Sequence, residues 1–183
     1  MRIVLAPMEG LADVHLRRLL TAQGGFDWVV SEFVRVGSRG YPDRVFYNTC
    51  PELRNGGKTD CGTPIRVQLL GNDLDAMAEN ARRAVKLGSY GIDINFGCPS
   101  KTVNRRQGGA VMLKEPDSLY GVVNAVRRAL PPEITVSAKM RLGYDDTSLM
   151  LDNAQAIEAG GATEVTVHAR TRLQGYAPPA HWD

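Results

Sequence analysis

Six short apolar runs, each separated from the next by a stretch with helical or loop character, constrain this fold more than any other feature of the chain. The runs cover residues 3–7, 28–33, 65–70, 92–95, 135–139 and 164–168, and most are near-continuously hydrophobic, as in parallel strands covered on both faces. Helical spacing occupies residues 13–23, 73–87, 117–130 and 148–159. In the second of these, Leu74, Met77, Ala78, Ala81, Ala84 and Val85 mark one face, and Gly88 stands where a helix C-cap is expected. Strand followed by helix, repeated, gives a right-handed α/β winding. The runs start roughly 25 to 40 residues apart, close to the ~30 residues per unit of an eight-unit barrel. The first turn, Ala6-Pro7-Met8-Glu9-Gly10, carries no G-x-G-x-x-G fingerprint, which argues against an open dinucleotide-binding sheet. The predicted fold is therefore an α/β barrel of the (β/α)8 TIM type. Only about six of the eight units are visible in 183 residues, so residues 1–183 are expected to be the N-terminal portion of a longer barrel. Its first and sixth strands would then be open edges, available for pairing with a partner.

Between residues 36 and 64 the pattern is irregular. Asn55-Gly56-Gly57-Lys58 reads as the turn of a hairpin-like excursion, with one helical turn near 42–48; long excursions of this kind carry recognition. Cys50 and Cys61 flank it and read as structural or incidental. Three cysteines without a C-x-x-C pair do not form a disulfide framework, which fits a reduced, cytoplasmic setting. No apolar stretch is long enough for a membrane span or a signal core, so no membrane partner is expected. His15, His168 and His181 are scattered away from any acidic cluster, so no metal site is expected either.

In a barrel the C-terminal strand ends converge on one mouth, where the chemistry sits. Here those ends carry Met8 and Glu9, Glu32 and Arg35, Gln68, Asn95 and Cys98, Lys139 and Arg141, and His168 and Arg170. Cys98 is the first candidate for a reacting group. Gly97 lets the backbone turn freely before it, and Pro99 pushes it toward extended geometry, so the corner aims its thiol. A lone cysteine is often only a small buried hydrophobe, and each of the other residues has an equally bland reading alone; their joint occurrence at equivalent strand positions favours function. Amide, ammonium, guanidinium and imidazole together suit an anionic, planar, hydrogen-bonding cofactor with a phosphate tail. A net charge of only +2 excludes little, but its distribution is uneven. Arg35, Arg39, Lys101, Arg105, Arg106, Arg170 and Arg172 all follow strands, a footprint for phosphates. Tyr176 and Trp182 add surfaces on which a base could stack.

The chain resembles the bacterial tRNA-dihydrouridine synthases. The resemblance rests on Leu5-Ala6-Pro7-Met8-Glu9-Gly10, Val67-Gln68-Leu69-Leu70-Gly71, Asn95-Phe96-Gly97-Cys98-Pro99-Ser100-Lys101, the stretch from Val136 to Gly143, and Val167-His168-Ala169-Arg170-Thr171. Glu32-Phe33-Val34-Arg35-Val36 and Cys98 to Asn104 look most like the branch that modifies uridine 16 of the D-loop. The resemblance implies FMN at the barrel mouth, with Pro7, Met8 and Glu9 beside the ring system, Gln68, Lys139 and His168 hydrogen-bonding it, and Arg141 close by. It implies tRNA as partner, contacted by Arg35, Asn95 and Tyr176, and NADPH as reductant. Cys98 would donate a proton to uracil C5 while hydride reaches C6, with Lys101 lowering the thiol pKa somewhat. The family's C-terminal helical tRNA-binding domain has no counterpart in these residues. Two other readings remain at this point: a flavin barrel reducing a free small molecule, and an RNA-binding remnant without catalysis.

Overall fold

The computed structural model describes residues 1–182. Six strands, β1 (Val4–Leu5), β2 (Trp28–Arg35), β3 (Ile65–Leu70), β4 (Gly91–Phe96), β5 (Thr135–Arg141) and β6 (Glu164–His168), form one all-parallel sheet in sequential order. Between them lie helices α1 (Val14–Thr21), α2 (Asp43–Thr49), α3 (Leu74–Lys86), α4 (Lys101–Asn104), α5 (Pro116–Ala129) and α6 (Met150–Ala159). All six predicted strands and the four predicted helices are present, with ends displaced by a few residues. Asp13 and Asp73 start α1 and α3 by accepting the amides of Leu16 and Ala76, each at 2.9 Å, since the first helical N–H groups have no partner within the helix.

The strands do not have the apolar pair of faces expected from their sequence. Ile65, Val67 and Leu69, Ile92, Ile94 and Phe96, and Val136, Ala138 and Met140 are all buried, and they join residues of α3, α5 and α6 in one core. The alternate positions are polar: Arg66 and Gln68, Asp93 and Asn95, Ser137, Lys139 and Arg141, Thr166 and His168. The sheet is therefore apolar toward its helices and polar on its concave side. On α3, Leu74 is exposed, whereas Ala76 and Asn80 are buried. Asn80 is satisfied there by accepting the Tyr41 amide at 3.0 Å and donating to the carbonyls of Arg39 and Ala76 at 3.1 and 2.8 Å.

A flat sheet would hold β3 and β6 about 14 Å apart. Here Arg66 of β3 nevertheless pairs with Glu164 at the start of β6, and Arg2, just before β1, reaches the same carboxylate at 2.9 Å. The six strands are curled into an incomplete barrel, with this ionic clasp at its base. Between Val30 and Phe33, three steps of β2 run against two of β3. The surplus residue places Phe33 opposite Gln68, where an unbroken ladder would place Glu32. Glu32 instead accepts the Gly10 amide at 2.6 Å.

The predicted hairpin is corrected in its position. Residues Pro51–Asn55 form a 3-10 turn ended by Gly56, and the reversal lies farther on, closed by a single bridge between Lys58 and Pro64. Gly57 has φ +70°, and a Cβ there would lie 1.9 Å from the Gly88 carbonyl oxygen, so the excursion packs backbone to backbone against the end of α3. It is also tied to α1. Arg17, fully buried, donates to both carboxylate oxygens of Glu52 at 2.7 and 2.9 Å and to the Ala12 carbonyl at 2.6 Å. All three cysteines are free.

Candidate active site

A cavity of about 640 Å³ opens at the C-terminal ends of the strands. Pro7, Met8, Glu9, Gln68, Asn95, Cys98, Lys139, Arg141, His168 and Tyr176 all line it, together with Phe33, Thr166 and Trp182. Arg35 does not; it lines a separate, smaller cavity of about 160 Å³ with Asn72, Arg106 and Gly108.

The floor is a hydrogen-bond chain between neighbouring strands. Ser137 and Gln68 donate to the two oxygens of Asp93, at 2.6 and 2.7 Å. Asn95 donates to Gln68 at 2.8 Å and accepts the amides of Gly97 and Cys98, both at 2.9 Å. Asn95, expected as a tRNA contact, thus holds the cysteine corner. Asp93 lies one side-chain period before Asn95 in Ile92-Asp93-Ile94-Asn95, and this polar alternation was the signal that could have found it.

The segment after Cys98 is the short helix α4 rather than a loop. Asn104, buried at its end, donates to the carbonyls of Cys98 and Ser100 at 3.0 and 2.7 Å. Gly109 has φ +67°, and a Cβ there would lie 3.1 Å from the Cys98 Cβ, so only glycine lets the returning chain pass behind the thiol. Arg141 clamps the other side: Nε donates to the Gly97 carbonyl at 2.8 Å, and Nη1 to those of Thr171 and Gly175 at 3.1 and 2.9 Å. Asn104, Gly109 and the clamping role of Arg141 escaped the sequence reading, because each acts across the fold on backbone atoms.

Burial pushes the Cys98 thiol above its ordinary range and Glu9 adds to this, while the Ser100 amide, Arg35 and Arg141 pull the other way. The cations that act on it are thus Arg35 and Arg141, where Lys101 was expected. At neutral pH this thiol keeps its proton. Burial lowers the Lys139 pKa, Arg141 adding to this and Asp93 opposing it. Burial also brings His168 down to about 4, helped by Arg141, Lys139 and Arg170, so its ring is neutral at pH 7. Its Nδ1 has no hydrogen-bond partner among the described residues, and its ring meets Tyr176 edge-on at 6.2 Å.

Around the mouth, Lys101, Arg105 and Arg106 are exposed, and none forms an ion pair among the described residues. Arg170 donates to the Ala177 carbonyl at 2.9 Å. No group of three or more His, Cys, Asp or Glu that could hold a metal ion occurs among the described residues, and no helix there is long and apolar enough to cross a membrane.

Comparison with known proteins matches these elements as a set. The family model described as Dihydrouridine synthase (Dus) covers residues 4–183. The chain is 56% identical over 183 residues to the tRNA-dihydrouridine(16) synthase of Pseudomonas syringae pv. tomato. It is 52% identical over 183 residues to that of Shewanella oneidensis, and 54% over 176 residues to that of Haemophilus influenzae. These alignments cover 100%, 100% and 96% of this chain, and 58%, 58% and 57% of the relatives, so the chain spans a little over half of their length. With strands β1 to β6 and the cavity at their ends all inside the matched residues, the chain belongs to the dihydrouridine synthase family.

Proposed function

We propose that this chain forms the uridine-reducing site of a tRNA-dihydrouridine synthase that acts at position 16, with FMN bound in the cavity and NADPH as reductant. The name shared by relatives 52–56% identical to it supports the substrate and the position. The observation that carries the chemistry is the placing of the Cys98 thiol in the wall of a cavity that Lys139 and His168 also line.

The residues present fit a flavin. At about 640 Å³ the cavity falls in the ordinary range for small-ligand sites. Its walls pair apolar surface from Pro7, Met8 and Phe33 with hydrogen-bonding groups from Gln68, Lys139 and His168, and the unpartnered Nδ1 of His168 leaves bonding capacity unused. When bound, the flavin supplies hydride for uracil C6. Lys139 would stabilise negative charge on the bound ring system. Cys98 holds its proton on Sγ and gives it to uracil C5; a thiol with a raised pKa retains that proton until it is needed. Arg141 and Asn95 keep the Cys98 corner fixed from either side. The base must leave its stack to enter, and the cations of the mouth hold the phosphates beside it.

The test is Cys98→Ala in the full-length protein, read as dihydrouridine in tRNA by mass spectrometry. A positioned acid contributes about 10²–10⁴-fold in rate, so product formation should drop by that factor while flavin content stays the same. Full activity in the variant would rule out the proposed role.

A further inference from the structure

One buried titratable group has no part in the chemistry above. Asp93, 4% exposed, sits in the middle of β4 with both oxygens occupied, by Gln68 Nε2 at 2.7 Å and Ser137 Oγ at 2.6 Å. We propose that Asp93 is a positioning residue for Cys98, because its carboxylate sets the direction of the Gln68 and Asn95 amides and so fixes the cysteine corner.

Both Asp93 oxygens accept hydrogen bonds, and a carboxylate in that role offers no donor, whereas a side-chain amide has one accepting and one donating end. Gln68 must therefore turn its NH₂ toward Asp93, which leaves Oε1 facing Asn95. Asn95 must then turn its own NH₂ toward Gln68, as it does at 2.8 Å. Only that orientation leaves Oδ1 facing the amides of Gly97 and Cys98, at 2.9 Å each. Every donor in the chain points toward Asp93. Reversing Gln68 would set two acceptors face to face at Asp93; reversing Asn95 as well would set an NH₂ against two backbone N–H groups. A carboxylate two hydrogen bonds away thus decides which way Asn95 faces. Burial disfavours its charge, and bonds from Gln68 and Ser137 with the nearby Arg66 and Lys139 oppose that cost.

The importance of this placement rests on Cys98 being the proton donor, but its test does not. Site-resolved labelling of Cys98 with iodoacetamide in the full chain, followed by mass spectrometry, reads the corner without cofactor or RNA. Gln68→Glu puts two carboxylates side by side and breaks the chain, and Cys98 labelling should change by about tenfold. Adding Asp93→Asn moves the carboxylate one link along: the amide introduced at position 93 can donate to the carboxylate introduced at position 68, which also accepts from Asn95, and labelling should return to within about twofold of the parent. Ser137→Ala removes the other partner of Asp93 while leaving the chain to Cys98 intact, so it should lower the melting temperature and leave labelling within about twofold. If Gln68→Glu alone does not fold, a folded double variant with parent-like labelling carries the same support. A double variant that labels unlike the parent, or a Ser137→Ala protein whose labelling shifts as far as that of Gln68→Glu, overturns the proposal. Uridine reduction that survives Cys98→Ala would instead defeat the proposed function and leave the labelling result standing.

Discussion

At the residue scale, two side chains of the cavity lend themselves to direct test. Lys139 lines the cavity, pairs with no acid among the described residues and lies in a setting that disfavours its charge. An anionic ring bound beside it would supply the missing counter-charge. Lys139→Met should therefore purify with markedly less flavin, measured by absorbance of the full-length protein; unchanged flavin content would count against this role. His168 is neutral down to about pH 4 in the folded chain but takes up a proton near 6.5 when unfolded. Between those values the unfolded state binds more protons, so this residue's contribution to stability is unaffected above pH 6.5 and declines as the pH falls toward 4. Urea midpoints followed from pH 7 to pH 4 should show a shallower fall in His168→Gln than in the parent.

At the scale of elements, the strands and main helices were legible because apolar spacing and aspartate caps are local signals. What the spacing concealed was parity. Runs such as Ile92-Asp93-Ile94-Asn95 look hydrophobic overall, yet one residue in two is polar and faces inward, and the average hides the alternation. The excursion between β2 and β3 was legible only as irregular, since its anchor is a pair of residues 35 apart, Arg17 and Glu52. Removing one partner of a buried ion pair leaves an uncompensated charge, at a cost of about 3–5 kcal/mol. Arg17→Met should therefore lower unfolding free energy by about that amount in denaturant titrations. Replacing Arg18, whose partner Asp60 is exposed like itself, should change it by less than about 1 kcal/mol.

At the scale of the molecule, site legibility followed topology. Strand ends in a parallel sheet converge whatever lies between them, so ten residues chosen as site candidates meet at one cavity. Arg35 is displaced to the neighbouring one, because a strand end alone does not say which side of a loop a long side chain takes. The unpaired Lys101, Arg105 and Arg106 lie together on the segment behind Cys98. If they neutralise phosphates, tRNA affinity should fall steeply with salt, and replacing Arg105 and Arg106 by Ala should reduce the slope of log K against log salt by about 1 to 2. An affinity indifferent to salt would favour a small-molecule substrate. The surplus residue in β2 sets a neutral phenyl ring beside Gln68 and turns Glu32 aside to the Gly10 amide. A one-residue irregularity thereby puts Phe33, and not Glu32, in the cavity wall.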